Sequence, residues 1–499
     1  MIQATLAATL VVPPSTGGDE MGALPDSVAL LEVRSDLVDI DPDWLRSHFS
    51  GRLLYALRSR AQGGAFEGSV FERHERLKNA ARCYDLIELE SPYDFAPDVL
   101  SEIPIEKRVV SWHGSAEDVS TLDDKFSELT SVPASLYRLV TIAATHHEEL
   151  LPLSLLKSLN RTDTIAYSTG PHGFWTRLIA PRLGAPIVFG LVPGGPEVPE
   201  EPTITKLIED YGLPQLAPLE GLYGIVGNPV FHSLSPRLHN AAYLAMDYPG
   251  VFVPFHVESL TDFWHELIEG KVLESLDLPL KGLTVVSPYK EAALRLAKSA
   301  SPIARRAESA NILVRDDGLW SADTTDPQVV LMAECNRGLQ MNHKRAAVIG
   351  CGGAGRAIAV ALDDLGATVT LINEGVERGD FAAKLLGLPC IPFQGFSARG
   401  YDVVINATPV GRDDGKVPFA VETLEKDAVV IDLVYGLEPT PLVRDAKALG
   451  HTVIDGREVL LTQVHRQIQL MTSREISTNM LSEKLNLEIK HSALAGCHF

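Results

Sequence analysis

Apolar positions come in short blocks along the first two hundred residues. The blocks are Ile2–Val12, Val28–Val33, Arg52–Leu57, Leu86–Leu89, Arg108–Trp112, Leu136–Ala143, Asp163–Tyr167 and Pro186–Leu191. Most leave room for a helix before the next block. Eight strand–helix units is the count of a closed (β/α)8 barrel. The first block has no Lys or Arg ahead of it and reads as a buried strand rather than a signal peptide. A Pro/Gly/Glu-rich stretch at Val192–Pro202 breaks the pattern, and Pro214–Pro218 reads as a linker. A new strand opens at Gly221, and a second α/β unit follows over 221–330. From Lys344 a short apolar strand runs straight into glycines and a helix. The expected organisation is an α/β chain with a barrel over 1–215, an α/β unit over 221–330 and a nucleotide-type unit over 331–463. A tail at 486–499 has no evident packing partner.

Composition narrows the class. At 499 residues, roughly 150 per domain predicts about three domains. The formal net charge of −21 argues against nucleic acid and anionic membranes as partners, because both require a positive surface. The five cysteines include no C-x-x-C pair, which fits neither a disulfide framework nor a zinc site, and a reducing cytoplasm is the simplest location. No apolar run reaches the length of a spanning helix. No His/Cys/Asp cluster has metal-ligand spacing along the chain, so no metal is expected.

The most specific local signal lies between Ala346 and Glu374. Gly350, Gly352 and Gly355 occupy a G-x-G-x-x-G pattern between a strand and a helix, with Gly353 and Ala354 inside it. The first glycine permits the tight turn, the second admits a pyrophosphate, and the third lets helix and strand pack closely. The helix N-terminus then offers free N–H groups to phosphates. The next strand ends at Asn373–Glu374. A carboxylate there suits the ribose hydroxyls of NAD and repels a 2′-phosphate. Arg378 offers charge to such a phosphate. Sequence leaves the cofactor as NAD or NADP, with Glu374 favouring NAD.

Two further segments carry polar groups suited to a small acid. FHSLSPRLHN places Ser233 and Ser235 on one side of an expected extended segment, before a helix started at Pro236. Two hydroxyls at this spacing can grip one carboxylate. GLTVVSPYKEAAL puts Lys290 after a strand and a prolyl turn, and Asn311 and Asp326 follow at similar points. A Lys–Asp couple can exchange a proton with an alcohol or carbonyl when contact and burial tune it. Each residue alone is more often a surface polar group.

Together these motifs resemble shikimate dehydrogenase over residues 221–465. The match comprises S-x-S-P-x-x-H-N at 233–240, P-x-K at 288–290, Asn311, T-D at 325–326, G-x-G-G-A-G-R-A at 350–357, N-A-T-P-V-G at 406–411, D-x-V-Y at 432–435 and G-x-x-x-L-x-x-Q at 456–463. The resemblance implies that Ser233 and Ser235 hold the substrate carboxylate and that Lys290 and Asp326 are the catalytic pair. It implies that Asn311, Tyr435 and Gln463 contact ring hydroxyls, and that the Asn406–Gly411 loop, with Thr408, and Gly456 border the cofactor. It also implies a helix at about 464–485 returning to the substrate domain. There are departures. Thr284 and Val286 replace the family's polar Asn and Thr, Glu374 replaces the usual Arg for a 2′-phosphate, and Val459 replaces a Met.

The first half resembles type I 3-dehydroquinate dehydratase. Together the halves resemble the bifunctional enzyme of plants and some bacteria, a TIM-type barrel followed by a two-domain shikimate-dehydrogenase unit. The matching pieces include Glu32 and Arg34, Arg58, Glu88–Glu90, His113, and Gly170–Arg177. In that family one Lys forms a Schiff base and one His is the general acid/base. His113 fits the His, and Glu32, Arg34, Arg58 and Arg177 fall at substrate positions. The Lys position is Arg138, and no Lys occurs between Lys125 and Lys157. A guanidinium stays protonated and cannot form an imine. The last substrate loop reads Pro199-Glu200-Glu201, whose charge is expected to oppose an acidic substrate. The reading is an NAD(P)-dependent shikimate dehydrogenase with a barrel lacking Schiff-base activity. Its substrates would be 3-dehydroshikimate and shikimate. The alternatives are a fully bifunctional enzyme, an NAD-dependent quinate/shikimate dehydrogenase and a non-catalytic quinate-pathway sensor.

Overall fold

The computed structural model describes residues 2–15, 18–195, 198–216, 218–436 and 438–485. The expected tail at 486–499 lies outside the described residues. The eight apolar blocks all form parallel strands: β1 (Thr5–Leu10), β2 (Val28–Arg34), β3 (Arg52–Ala56), β4 (Leu86–Glu90), β5 (Arg108–Gly114), β6 (Leu136–Ile142), β7 (Thr164–Thr169) and β8 (Ile187–Leu191). The hydrogen-bonded order is β7-β6-β5-β4-β3-β2-β1-β8. The sheet therefore curls into a nearly closed barrel, with β1 meeting β8 and, among the described residues, no ladder between β7 and β8. Leu31, Leu54, Leu89 and Ala166 are fully buried among the residues of these strands. Buried on both faces, the strands read as continuous apolar runs rather than alternating ones.

The described chain divides into two compact units, residues 1–222 with 229–280, and residues 223–228 with 281–499. In the first, the barrel is joined by strand β10 (Gly250–His256) and by the helix α2 (Ser235–Ala245). Arg237 on α2 donates to Asp210 at 2.7 Å on the last barrel helix, α1 (Ile204–Tyr211). Asn240 bonds the backbone of Phe252 in both directions at 2.8 Å and donates to the Asp210 carbonyl. His239 stacks on Phe252 at 4.0 Å.

The second unit has two sheets. One takes β9 (Gly221–Gly227), β11 (Leu280–Val285), β12 (Ile312–Asp316) and β13 (Leu319–Asp323) in that order, the β11–β12 and β12–β13 pairs being antiparallel. The other is fully parallel, with strands β14 (Arg345–Ile349), β15 (Thr368–Asn373), β16 (Cys390–Pro392), β17 (Val403–Asn406), β18 (Val429–Asp432) and β19 (Thr452–Ile454). Its order, β16-β15-β14-β17-β18-β19, is the doubly wound arrangement, whose ligand crevice opens where the order reverses between β14 and β17. Helix α4 (Gly353–Asp364) follows β14. One long helix, α5 (Gly456–Thr472), runs through residue 463, where the sequence predicts a domain boundary, so the expected returning helix starts earlier. No described helix is long and apolar enough to cross a membrane.

Candidate active site

At the heart of the second unit stands a buried polar network. Lys290 is the first residue of helix α3 (Lys290–Leu296), and Asp326 follows β13. The Lys290 ammonium donates to both Asp326 oxygens, at 2.9 and 2.7 Å. Asp326 Oδ1 also accepts from Asn311 Nδ2 at 3.1 Å and from Gln463 Nε2 at 2.9 Å. Asn311 Oδ1 accepts from the Thr325 backbone N–H at 2.7 Å. Gln467, one helical turn beyond Gln463 on α5, donates to Thr325 Oγ1 and accepts from Thr284 Oγ1, each at 3.1 Å. The structure thus brings together Lys290, Asn311, Asp326 and Gln463. Sequence reasoning noted Thr284 only as a departure and missed Gln467. Its i,i+4 spacing from Gln463 was the available signal.

The glycine turn adjoins this network. Gly350 has φ +103°, a left-handed conformation that favours glycine. A Cβ on Gly355 would lie 1.9 Å from the Gly350 carbonyl oxygen, so helix and strand pack as the motif requires. A Cβ on Gly353 would stand 2.2 Å from Ser309 Oγ and 3.1 Å from Lys290 Cβ. No described residue lies within 4 Å of a Cβ built on Gly352, which leaves room for a pyrophosphate against the backbone. The α4 N-terminus has no side-chain cap among the described residues, so its N–H groups suit an anion. Asn373 accepts from the Cys351 N–H at 2.9 Å and donates to the Gly375 carbonyl, fixing the end of β15. Glu374 and Arg378 are exposed beyond it. Asn406 and Thr408 bond one another, Thr408 Oγ1 donating to Asn406 Oδ1 at 2.7 Å, while Asn406 Nδ2 donates to Asp432 at 2.9 Å. These two side chains therefore shape their loop, which turns at Gly411 (φ +94°). Tyr435 lies half-buried after β18 and against Gly456, whose Cβ would meet Tyr435 Cβ at 2.9 Å.

Arg356 was not singled out by the sequence. It is fully buried, donates to the carbonyls of Ala307, Cys351 and Glu308, and pairs with Glu291 at 2.8 Å. It thereby ties α4 to α3 and to the loop before Asn311.

The two serines lie in the first unit, both buried. They do not share an extended segment. Leu234 is already helical in its backbone angles, Ser235 begins α2, and the Ser235 N–H donates to Ser233 Oγ at 3.2 Å. Proline at the second helical position sets the start one residue earlier than the sequence suggests.

The barrel holds a cavity of about 350 Å³ lined by Glu32, Arg34, Arg58, His113, Arg138 and Tyr167, among others. The Arg138 guanidinium donates to Glu32 and lies 3.9 Å from the centroid of the Phe189 ring. Burial works against its charge, but Glu32, Tyr167 and Glu88 outweigh burial and hold it protonated. Burial would raise the Glu32 carboxyl, yet Arg138, Arg58 and Thr9 lower it to about 2. His113 Nε2 lies 3.7 Å from Glu88, and its backbone N–H donates to Gln62 at 2.9 Å. Burial first, then Arg58 and Arg138, keep the His113 imidazole neutral well below its usual range. Arg34 turns to Asp36 at 2.8 Å. Glu201 pairs with Arg177 at 3.2 Å. Glu201 lines the cavity, and this pair offsets the charge of Arg177. Phe189 also lines the cavity, and Glu88 and Gln62 contact its His113. Tyr167 and Phe189 read as ordinary strand residues of β7 and β8, so sequence pattern does not single them out.

A parallel barrel and a doubly wound unit with a Lys–Asp couple at its glycine turn define a nicotinamide-type oxidoreductase joined to a barrel domain. Comparison with known proteins agrees. The type I 3-dehydroquinase family matches residues 19–217, and the shikimate dehydrogenase substrate binding domain matches residues 225–313. A bifunctional 3-dehydroquinate dehydratase/shikimate dehydrogenase, chloroplastic, from Arabidopsis thaliana is 26 % identical over 486 residues, covering 88 % of this chain and 78 % of that protein. A shikimate dehydrogenase (NADP(+)) from Methanocella arvoryzae is 34 % identical over 258 residues, covering 50 % of this chain and 93 % of that protein. A crystal structure of shikimate 5-dehydrogenase from Thermus thermophilus in complex with NADP(H) and shikimate is 29 % identical, covering 53 % of this chain and 98 % of that one, with TM-score 0.48. The chain belongs to the shikimate dehydrogenase family and carries a type I dehydroquinase domain ahead of it.

Proposed function

We propose that this protein reduces 3-dehydroshikimate to shikimate, reversibly, with a nicotinamide cofactor. The observation that carries the reading is the Lys290–Asp326 couple, braced by Asn311 and Gln463 and packed against Gly353 of the glycine turn. The cofactor, when bound, supplies hydride to the ketone carbon. Lys290 donates a proton to the developing alkoxide, so the ketone becomes a secondary alcohol. Asp326 holds the ammonium at the reacting oxygen, and Asn311 and Gln463 hold Asp326. Tyr435 is the remaining candidate for a ring hydroxyl. Ser233 and Ser235 offer hydroxyls of the right kind for the substrate carboxylate. Gly350, Gly352, Gly353, Ala354 and Gly355 form the pyrophosphate turn. Asn373, Glu374 and Arg378 stand at the ribose end, and the Asn406–Gly411 loop and Gly456 line the nicotinamide side. Glu374 supports NAD over NADP, because an exposed carboxylate at the end of β15 repels a 2′-phosphate.

The deciding measurement follows cofactor absorbance with 3-dehydroshikimate, using NADH and NADPH in parallel. Faster oxidation of NADH is expected. Faster oxidation of NADPH would assign Arg378 the controlling charge. No oxidation of either would move the weight to a quinate-type substrate or to a sensor.

For the barrel, the reading is loss of Schiff-base chemistry. Arg138 cannot form an imine, and its guanidinium is engaged by Glu32. Similarity to a bifunctional relative over 88 % of this chain and 78 % of that protein supports the second reading, an active dehydratase, which with Arg138 at the Lys position works without an imine through His113. Mixing the protein with dehydroquinate and borohydride separates the two. Neither a mass adduct nor dehydration is expected. Dehydration without an adduct would establish the second reading.

A further inference from the structure

One cluster of ligating side chains plays no part in the chemistry above. His146 and Glu149 form an H-x-x-E segment just after β6, and its i,i+3 spacing puts both on one face of a helical turn. His172 lies in the short helix after the adjacent strand β7. All three are more than nine-tenths buried, at 5, 1 and 7 % exposure. Buried polar atoms are ordinarily paired. Here His146 Nδ1, Glu149 Oε1 and His172 Nδ1 have no hydrogen-bond partner among the described residues, and they face one another.

We propose that His146, Glu149 and His172 form a binding site for a divalent transition-metal ion, with Zn2+ the ion best suited to the donor set. Two imidazoles and a carboxylate are a three-ligand zinc set that leaves one position for water. The spacing fits a shared ion better than a direct bond. His146 Nδ1 and Glu149 Oε1 are 3.5 Å apart. A charge-assisted N–H···O bond would be about 2.7–2.9 Å. Ligands at about 2.0–2.1 Å from a tetrahedral zinc are separated by about 3.4 Å. One donor atom from each of the three residues lies within 4.8 Å of the other two. The His146 and His172 rings meet edge to face at 89°, with centroids 4.7 Å apart.

The outer shell is also present. Glu258 faces His172 Nε2 at 3.1 Å and His256 Nε2 at 3.6 Å. A carboxylate on the far ring nitrogen fixes the tautomer that leaves Nδ1 free to ligate. Ligand spacing along the chain predicts no metal, because His172 stands far from the H-x-x-E segment; the adjacency of β6 and β7 brings it back. The ion would clasp the segments that follow two neighbouring barrel strands.

The test uses the full-length, tag-free protein stripped with EDTA and titrated with Co2+ and Zn2+. One ion per chain is expected after gel filtration, with visible d–d bands for Co2+ and a raised thermal midpoint with Zn2+. His146→Gln and His172→Gln should each abolish the bands and the stoichiometry. His265→Gln, at an exposed i,i+4 pair with Glu269, should change nothing. If the ligand variants do not fold, Glu258→Gln serves instead, with affinity expected to fall about 10–100-fold. Absence of stoichiometric binding by the wild type would overturn the proposal. So would binding that survives both histidine variants, or an affinity unchanged in Glu258→Gln.

Discussion

Lys290 and Arg138 show how much one cation's neighbours decide. Lys290 sits at a helix start with two carboxylate oxygens, an ammonium placed to move a proton. Lys290→Met should lower kcat by about 10²–10⁴-fold while leaving NAD(P)H affinity, read by fluorescence titration, within a factor of about two. An equal loss of cofactor affinity would make Lys290 a structural residue. Arg138 is instead locked against Glu32, and this pairing has a pH signature. The Glu32 carboxyl is held at about 2, below its ordinary 4.5. A lowered folded-state pKa contributes stability above the unfolded value, and that stability is lost as pH falls from about 4.5 towards 2. Denaturant midpoints of the wild type should drop through this window, and Glu32→Gln should show a shallower drop. A parallel fall in the two proteins would remove Glu32 from the account.

At the scale of elements, α4 is positioned by two features of unequal visibility. The glycine pattern is written in the sequence and behaves as it predicts. Gly355→Ala would place a Cβ 1.9 Å from a backbone carbonyl, so cofactor binding should be lost or severely weakened, as measured by isothermal titration. Arg356 follows directly in the chain but reads as an ordinary helix residue. Its burial arises only because α4 packs across the loops at 307–308. Arg356→Met should cost about 1–3 kcal/mol in denaturant unfolding, since it removes the donor from the carbonyls of Ala307, Cys351 and Glu308. A loss below about 1 kcal/mol would mean that water replaces the guanidinium. The serine segment shows the reverse case. Its residue types suggested an extended grip, but the prolyl helix start drew Ser235 into α2.

Across the whole molecule, chemistry is distributed over two units, each with its own buried charges. His113 and Arg138 belong to the first, and Lys290 and Asp326 to the second. His113→Ala should therefore leave the rate of dehydroshikimate reduction unchanged, while Asp326→Asn abolishes most of it. A reduction rate that follows His113 would show that barrel chemistry controls the dehydrogenase. The acidic surface implied by a net charge of −21 suits small anionic substrates only where local cations override it. In the barrel these are Arg34, Arg58, Arg138 and Arg177, partly balanced by Glu32, Glu88 and Glu201.

The sequence by itself determined the strand count, the barrel, the doubly wound unit and the glycine turn. Those features depend on periodicity and short-range spacing, which local sterics and burial enforce. Tertiary structure alone decided which distant polar groups meet. Gln467 reaches Thr325 because α5 is continuous, Glu201 reaches Arg177 because a loop folds back, and His172 reaches His146 because β6 and β7 are neighbours. Pairings between separate elements leave no periodic trace in the chain. They are fixed by the cost of leaving buried polar groups unpaired, which can be seen only once the fold shows which groups are buried together.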